Sequence, residues 1–202
     1  MVSQINTKDL ILKKAEQIFF ENGYYKTKID DIAKSARVAK GTIYLYFKSK
    51  EDLFISIIEK NLGDFYNKIK EVSEKEKSNS NKLKNIILHV LKEYSKRKVF
   101  LKKVEIHRLV GDKDLREHFK KRILPILMEI RDYIIKIIKN GIKEGELKGE
   151  NAEAISAFIF GGIKNACITH EFMDENKFNR EILEKEILNI LHNGLFKTKE
   201  EL

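Results

Sequence analysis

Between Lys40 and Lys50 the chain reads KGTIYLYFKSK, and winding it at helical pitch sorts its side chains onto two faces. Ile43 and Phe47, four residues apart, share an inward apolar face. Gly41, Thr42, Tyr44 and Leu45 lie on the opposite face, flanked by Tyr46 and bracketed by Lys40, Lys48 and Lys50. A solvated helix face is ordinarily built of Lys, Glu and Gln; this one offers aromatic hydroxyls, a threonine and a glycine between ammonium groups. Tyrosine hydroxyls and lysine ammoniums reach phosphate oxygens, which fix register without reading sequence. Lys40, Gly41, Thr42 and Leu45 are placed to face base edges. Thr42 offers a methyl to thymine or a hydroxyl to a base edge, and Gly41 lets the backbone approach with no side chain in the way. The plainer alternative, tyrosines packed inside a small bundle, conflicts with Ile43 and Phe47 already filling the inward side. The chemistry implied is recognition of double-stranded DNA.

Such a helix needs supports, and its neighbours read as supports. Thr27 followed by Asp30 resembles a capping box opening a helix over roughly 28 to 35, with Ile29, Ile32 and Ala33 as its apolar stripe. Ser35 to Val38 interrupts as a turn, and the second helix runs over 40 to 47. Thr27 and Lys28 sit where the first of the two helices starts and would add phosphate contacts. Ser49 with Asp52 is a further capping box, opening the next helix. Before all of these, Thr7 is a plausible cap for a helix over 7 to 22, which buries Ile11, Leu12, Ala15, Ile18 and Phe19 and ends at Asn22-Gly23. The sum is a helix-turn-helix with a supporting helix behind it.

On these residues the segment resembles the DNA-binding domain of the TetR family of transcriptional regulators. The matching positions are Gly23-Tyr24, Thr27, Asp31-Ile32-Ala33, Ala36, Val38, Gly41-Thr42-Ile43-Tyr44, Tyr46-Phe47 and Lys50-Glu51-Asp52-Leu53. The resemblance is strong over roughly residues 7 to 55 and architectural beyond. Two positions depart from it. Arg37 stands where the family usually has Gly, which puts a non-glycine residue at positive φ. Ala39 stands where Ser or Thr often caps the recognition helix, a weakening of about 1 kcal/mol. The resemblance implies two-fold dimers paired through their last two helices, a roughly palindromic operator, and a small-molecule effector in the body that releases it.

Charge distribution agrees with a polyanion partner. Residues 1 to 50 hold ten Lys/Arg against five Asp/Glu, a net of +5, and the remaining residues carry thirty against twenty-six, a net of +4. No apolar run approaches the roughly 18 residues that span a bilayer, so no membrane partner is expected. The single cysteine, Cys167, excludes an intrachain disulfide framework and fits a reducing cytoplasm.

The predicted fold is all-α: an N-terminal three-helix helix-turn-helix domain over 1–49, then a C-terminal antiparallel helical bundle over 50–202, about nine helices in all. Past the head, helices are expected over 50 to 73, 82 to 96, 99 to 110, 114 to 144, about 151 to 172 and 179 to 196. Glu71 to Asn81 reads as a charged, Ser/Asn-rich linker. Pro125 inside the long helix predicts a kink or boundary, Gly145 a C-cap, and Asn151 the cap of the next helix. In that helix Ala154, Ile155, Phe158, Ile159, Ile163 and Ala166 read as buried. The last two helices, about 151–172 and 179–196, are the expected homodimer seam. They are apolar over more than one stripe, and Gly161-Gly162 in mid-helix allows close approach of another helix or a bend.

The body has helices enough to enclose an effector, with Tyr66, Leu91, Tyr94, Phe100, His107, Leu127, Arg131, Phe158, Asn165 and His170 as candidate lining residues. His107 and Arg131 are the sharper pointers, because a polar group facing a core needs a partner, although for either alone exposure on the body surface comes ahead of ligand contact. Catalysis has little to stand on. Cys167 and His170 share a helix face but lack a third partner and an oxyanion site, and no second His completes a metal motif beside Glu171 and Asp174. No cofactor, metal or catalytic residue is expected. The expected function is a cytoplasmic, homodimeric DNA-binding regulator, a repressor relieved by a small molecule. Its rival is a small-molecule carrier on the same scaffold whose head no longer reads DNA.

Overall fold

The computed structural model of the protein describes residues 6–103, 112–169 and 180–195, with side chains over 6–93, 112–166 and 181–195. Among these residues there is no β-strand; the fold is all-α. In chain order the helices are α1 (Thr7–Asn22), α2 (Ile29–Ala36), α3 (Lys40–Tyr46), α4 (Lys50–Glu74), α5 (Asn79–Lys103), α6 (Lys113–His118), a π-helical turn (Phe119–Ile123), α7 (Leu124–Lys143), α8 (Ala152–Thr169) and α9 (Arg180–Gly194). The described residues fall into two compact units. One is drawn from Met1–Asp64 and Val99–Leu127, the other from Phe65–Lys98 and Met128–Leu202.

The first unit closes around Ile11, Phe19, Ile32, Ile43, Phe47 and Phe54, all essentially inaccessible. Phe19 meets Phe54 edge-on at 5.2 Å and stacks on Tyr24 at 5.8 Å. Leu115 of α6 and Ile123 of the π turn join the same core. The caps follow the sequence closely. Gly23 ends α1 at φ 79°, and Asp52 N–H donates to Ser49 Oγ at 3.1 Å. The cap of α1 is Asn6 rather than Thr7, its side chain accepting from Lys8 N–H.

The π turn explains the proline. In an uninterrupted α-helix Pro125 would lack an N–H for the Lys121 carbonyl and its ring would crowd that oxygen. Widening the turn by one residue relieves this, and Leu124 N–H donates to Phe119 O, five residues back. The helix therefore starts as expected near residue 114, and the proline is accommodated by a wider turn just ahead of it.

The second unit buries one face each of the end of α4 and of α5, α7, α8 and α9, among them Ile69, Leu83, Ile86, Ile87, Ile138 and Ile163. Three expectations are corrected here. The Glu71 to Asn81 linker is mostly helix: α4 continues to Glu74 and α5 begins at Asn79. Its polar residues are anchored instead of solvated. Ser73 shares a 2.7 Å hydrogen bond with the Tyr133 hydroxyl, Asn79 donates to Glu144, and Ser80 N–H and Ser78 Oγ donate to Glu146. The two helices expected over 82 to 96 and 99 to 110 are one helix as far as Lys103; residues 104–111 lie outside the described residues. On α8 the buried stripe is Ala152, Ser156, Ile159 and Ile163, which leaves Ala154 and Phe158 pointing away from this core.

The glycine and asparagine signals hold. Gly145 (φ 76°) ends α7, with Glu146 N–H returning to Gly141 O. Asn151 Oδ1 accepts from Ala154 N–H at 2.7 Å.

Candidate nucleic-acid interface

Helix α3 is seven residues long and buries one side chain of its own, Ile43, with Phe47 just beyond its end. Most of what else it carries faces out. Leu45 is 83% exposed, Tyr44, Tyr46 and Lys48 are exposed, and Thr42 is half-buried at the rim. A Cβ added at Gly41 would meet open space. An 83% exposed leucine between two exposed tyrosines is costly to leave in water and marks a surface that meets something.

Both ends of α3 are held by groups outside it. At the start, Ala39 provides no side-chain cap, as expected. Lys40 Nζ instead pairs with Asp30 Oδ2 of α2 at 2.9 Å, which lowers the Asp30 pKa and raises that of Lys40. Arg37 sits at φ 54°, ψ 42°, the left-handed conformation anticipated for the turn between the helices. At the far end, Lys48 N–H donates to Asp52 Oδ2 at 2.8 Å.

Thr27 is placed otherwise than expected. It is 2% exposed and its hydroxyl donates to Gly23 O at 2.7 Å, so it ties down the loop between α1 and α2. The position before α2 is Lys28, which makes no side-chain cap. A hydroxyl turned inward leaves only the backbone at Thr27 to meet a phosphate, whereas the Lys28 side chain is exposed.

Lys50 is folded back. Its ammonium lies 4.4 Å from the centre of the Tyr24 ring and 3.4 Å from Tyr25 O. Burial there pulls its pKa down. Tyr24 in turn donates to Glu51 Oε1 at 2.8 Å. Burial first, then that bond, push the Tyr24 hydroxyl far above its ordinary pKa.

Sequence reading missed Arg122, which lies in the basic run FKKRI and carries no motif signal. Its guanidinium reaches back to α4, donating to Asp52 Oδ1 at 2.5 Å, Ser56 Oγ at 2.8 Å and Glu59 Oε2 through Nε at 3.1 Å. Nη2 also pairs with Glu59. Burial pushes the Asp52 carboxyl up, but the Lys48 N–H and Arg122 outweigh it and hold Asp52 below its ordinary value.

The effector candidates with described side chains divide between buried and exposed positions. Leu91 is buried and Tyr66 is half-buried against Tyr133, edge-on at 5.8 Å, with Lys70 Nζ over its ring. Leu127 and Asn165 are exposed, and Phe158 is 81% exposed. Arg131 faces no core: it is exposed and pairs with its neighbour Asp132 at 2.8 Å. Residues periodic enough to look buried thus divide between a core and an outward face, which spacing alone does not distinguish. The Tyr94, Phe100 and Cys167 side chains, and His107 and His170, lie outside the described residues. Among the described residues no group of three His, Cys, Asp or Glu is placed to hold a metal, and no helix is long and apolar enough to cross a membrane.

Two family models match the chain: bacterial regulatory proteins of the tetR family over residues 11–57, and the YsiA-like C-terminal region over residues 58–194. The fatty acid metabolism regulator protein of Bacillus subtilis is 31% identical over 189 residues, covering 92% of this chain and 93% of that protein. Among solved structures, the fatty acid degradation regulator FadR from Bacillus halodurans superposes with a TM-score of 0.74 at 25% identity, covering 93% of this chain and 95% of that one. FadR from Bacillus subtilis in complex with stearoyl-CoA gives 0.71 at 28% identity, covering 92% and 97%. With the helix-turn-helix geometry and both family matches in agreement, this chain belongs to the TetR family and is a DNA-binding transcriptional regulator.

Proposed function

We propose that this regulator is a homodimeric repressor, with a reading head over 1–49 and a ligand-binding, dimerising body over 50–202, released from a palindromic operator by a long-chain acyl thioester. The observation that carries the DNA reading is the outward face of α3, where Thr42, Tyr44, Leu45 and Tyr46 stand over an otherwise filled core. Lys40, Gly41, Thr42 and Leu45 face base edges; Tyr44, Tyr46, Lys48 and the α2 start at Thr27 and Lys28 meet phosphates. Lys50 joins them when its ammonium swings off Tyr24 toward a phosphate oxygen, a short move for a four-carbon stem.

Dimerisation is supported by Phe158, Ile182 and Ile190, large apolar side chains that α8 and α9 leave exposed. Among the described residues a Cβ added at Gly161 or Gly162 meets nothing, so none of them requires a glycine at either position. Close approach of a partner's helix supplies the reason, since a mid-helix glycine costs about 1 kcal/mol relative to alanine. One short helix contacts too few base pairs for useful specificity, and a two-fold pair reads successive major grooves. The effector class rests on relatives over nearly the whole chain: one is a fatty acid metabolism regulator, and another was solved with stearoyl-CoA. A DNA-bound regulator performs no catalysis of its own and works in the cytoplasm.

The test is selection of bound sequences from a random duplex pool at two salt concentrations, followed by release with acyl-CoAs of increasing chain length. Enrichment of a palindrome, and release by long but not short chains, is the expected result. Unselective binding that vanishes with salt removes the operator reading. A palindrome that no acyl-CoA releases removes the effector class and leaves the operator.

A further inference from the structure

We propose that Arg122 is a positioning residue for DNA reading: from the π turn it fixes Asp52, and through Asp52 it fixes the turn on which α3 ends. The inference rests on the DNA-reading role of α3 and not on the effector. Arg122 lies outside the stretch matched by the DNA-binding family model, residues 11–57, and 63 to 70 residues from its partners along the chain.

The geometry starts with α3 itself. A seven-residue helix with one buried side chain has little of its own to set its direction, so its orientation comes from its ends. Phe47, 1% exposed and extended at φ −134°, plugs the core. Immediately after it, Lys48 N–H is held by one Asp52 oxygen, and Asp52 N–H is held by Ser49. The other Asp52 oxygen belongs to Arg122. Asp52, Ser56 and Glu59 recur at i, i+4 and i+7, one face of α4 over two turns. A planar guanidinium serves all three at once, which a lysine ammonium on a flexible stem does not.

The π turn is what brings Arg122 to that face. In a regular α-helix, residue 122 lies seven positions from Leu115 and almost directly above it, which would aim the arginine into the apolar core. One inserted residue rotates the following side chains by about 100°. Ile123 then takes the place over Leu115, 1% exposed, and Arg122 swings aside onto α4. With four donor contacts already committed to α4, Arg122 is not a phosphate contact; its effect on DNA runs through Asp52.

Loosening this clamp leaves the basic surface intact but lets the end of α3 wander, so base contacts suffer and phosphate attraction does not. The experiment measures affinity of the full-length protein for its selected operator and for a scrambled duplex, across salt, together with melting temperature. Arg122→Gln is expected to lower the operator-to-scrambled ratio by about tenfold with scrambled-duplex affinity and salt slope unchanged. Asp52→Asn keeps an oxygen for Lys48 N–H but breaks the ionic link, and is expected to lower the ratio in the same direction. The double variant is expected to be little worse than the worse single one, as members of one chain of contacts should be. Arg122→Lys is expected to recover only part of the ratio.

A folded Arg122→Gln with the wild-type ratio overturns the proposal. So does a fall in both affinities with a shallower salt slope, which would make Arg122 a direct phosphate contact. Additive losses in the double variant also overturn it. Should Arg122→Gln fail to fold, Asp52→Asn decides alone, and an unchanged ratio there refutes the clamp. Wild-type protein that shows no operator preference at all sinks the DNA-reading proposal instead, so the two failures are distinct.

Discussion

The two units leave apolar surface in different places and for different reasons. The first unit fills its interior with Phe19, Phe47 and Phe54, and over residues 6–49 its exposed large apolar groups are Tyr25, Tyr44, Leu45 and Tyr46. These carry hydroxyls or stand among lysines, a surface suited to a wet, charged partner. In the second unit α8 and α9 show Phe158, Ile182 and Ile190, which carry no polar atom on the side chain. That surface suits a dry partner, a second copy of the same helices. On the proposed reading the first surface meets DNA and the second meets a second copy, and the chemistry around each distinguishes the two.

Breaking the dry face is expected to have the largest effect. Phe158→Glu should convert dimer to monomer by light scattering and weaken operator binding by about a hundredfold or more, since paired heads gain that much from linkage. Its melting temperature at high dilution should hardly change, because an 81% exposed side chain supports little within one copy. A persisting dimer would place the seam elsewhere.

Within the body, Gly141→Ala should cost about 1–3 kcal/mol, because the new Cβ would stand 2.7 Å from Leu147 Cδ1 and 3.2 Å from Asn79 Cβ. Calorimetry should show the loss in melting temperature, and the affinity of the remaining folded protein for DNA should be unchanged.

On the wet face, Tyr44→Phe should weaken operator and scrambled DNA alike by about 1 kcal/mol, the loss of one hydrogen bond to phosphate. Thr42→Ala should instead change which sequences are enriched. Matching profiles in a repeated selection would remove Thr42 as a reader.

Smaller still, Arg37→Gly should raise stability by about 1 kcal/mol, because glycine adopts φ 54° without the side-chain penalty. A fall in melting temperature would mean that the Arg37 side chain contributes more than its backbone costs. The pH effect is confined to acid. Asp52 has a folded pKa below its ordinary 3.8, so its contribution is complete above that value and is lost as pH falls through the lower folded one. Operator preference should be flat from neutral pH down to the ordinary carboxylate range, and Asp52→Asn should remove part of the fall beneath it.

The same comparison says what could be read from sequence. The head was legible because its determinants are local: the Ile11 to Phe19 stripe, Gly23, the two faces of α3, Arg37 at positive φ and the Ser49–Asp52 cap all lie within a few residues of what they control. The body was legible only as helices. Ser78, Asn79 and Ser80 read as linker because composition does not show that Glu144 and Glu146, 65 to 68 residues onward, receive their hydrogen bonds. Phe158 read as core because two apolar stripes on one helix look alike until one of them packs. Arg131 reads as either a core-facing or, ahead of that, an exposed polar group, and it is exposed, with the adjacent residue as its partner. Arg122 was invisible for the first of these reasons, since its three partners lie on a distant helix and the π turn that aims it leaves no mark beyond Pro125.

The most direct test of the account is a hydroxyl-radical footprint of the protein on its selected operator. Two protected patches on one face of the duplex, related by a two-fold axis and separated by about one helical turn or a multiple of it, are the predicted result, because two α3 helices carried by one dimer must enter successive major grooves. A single patch, or protection with no two-fold relation, would contradict the pairing of heads through α8 and α9.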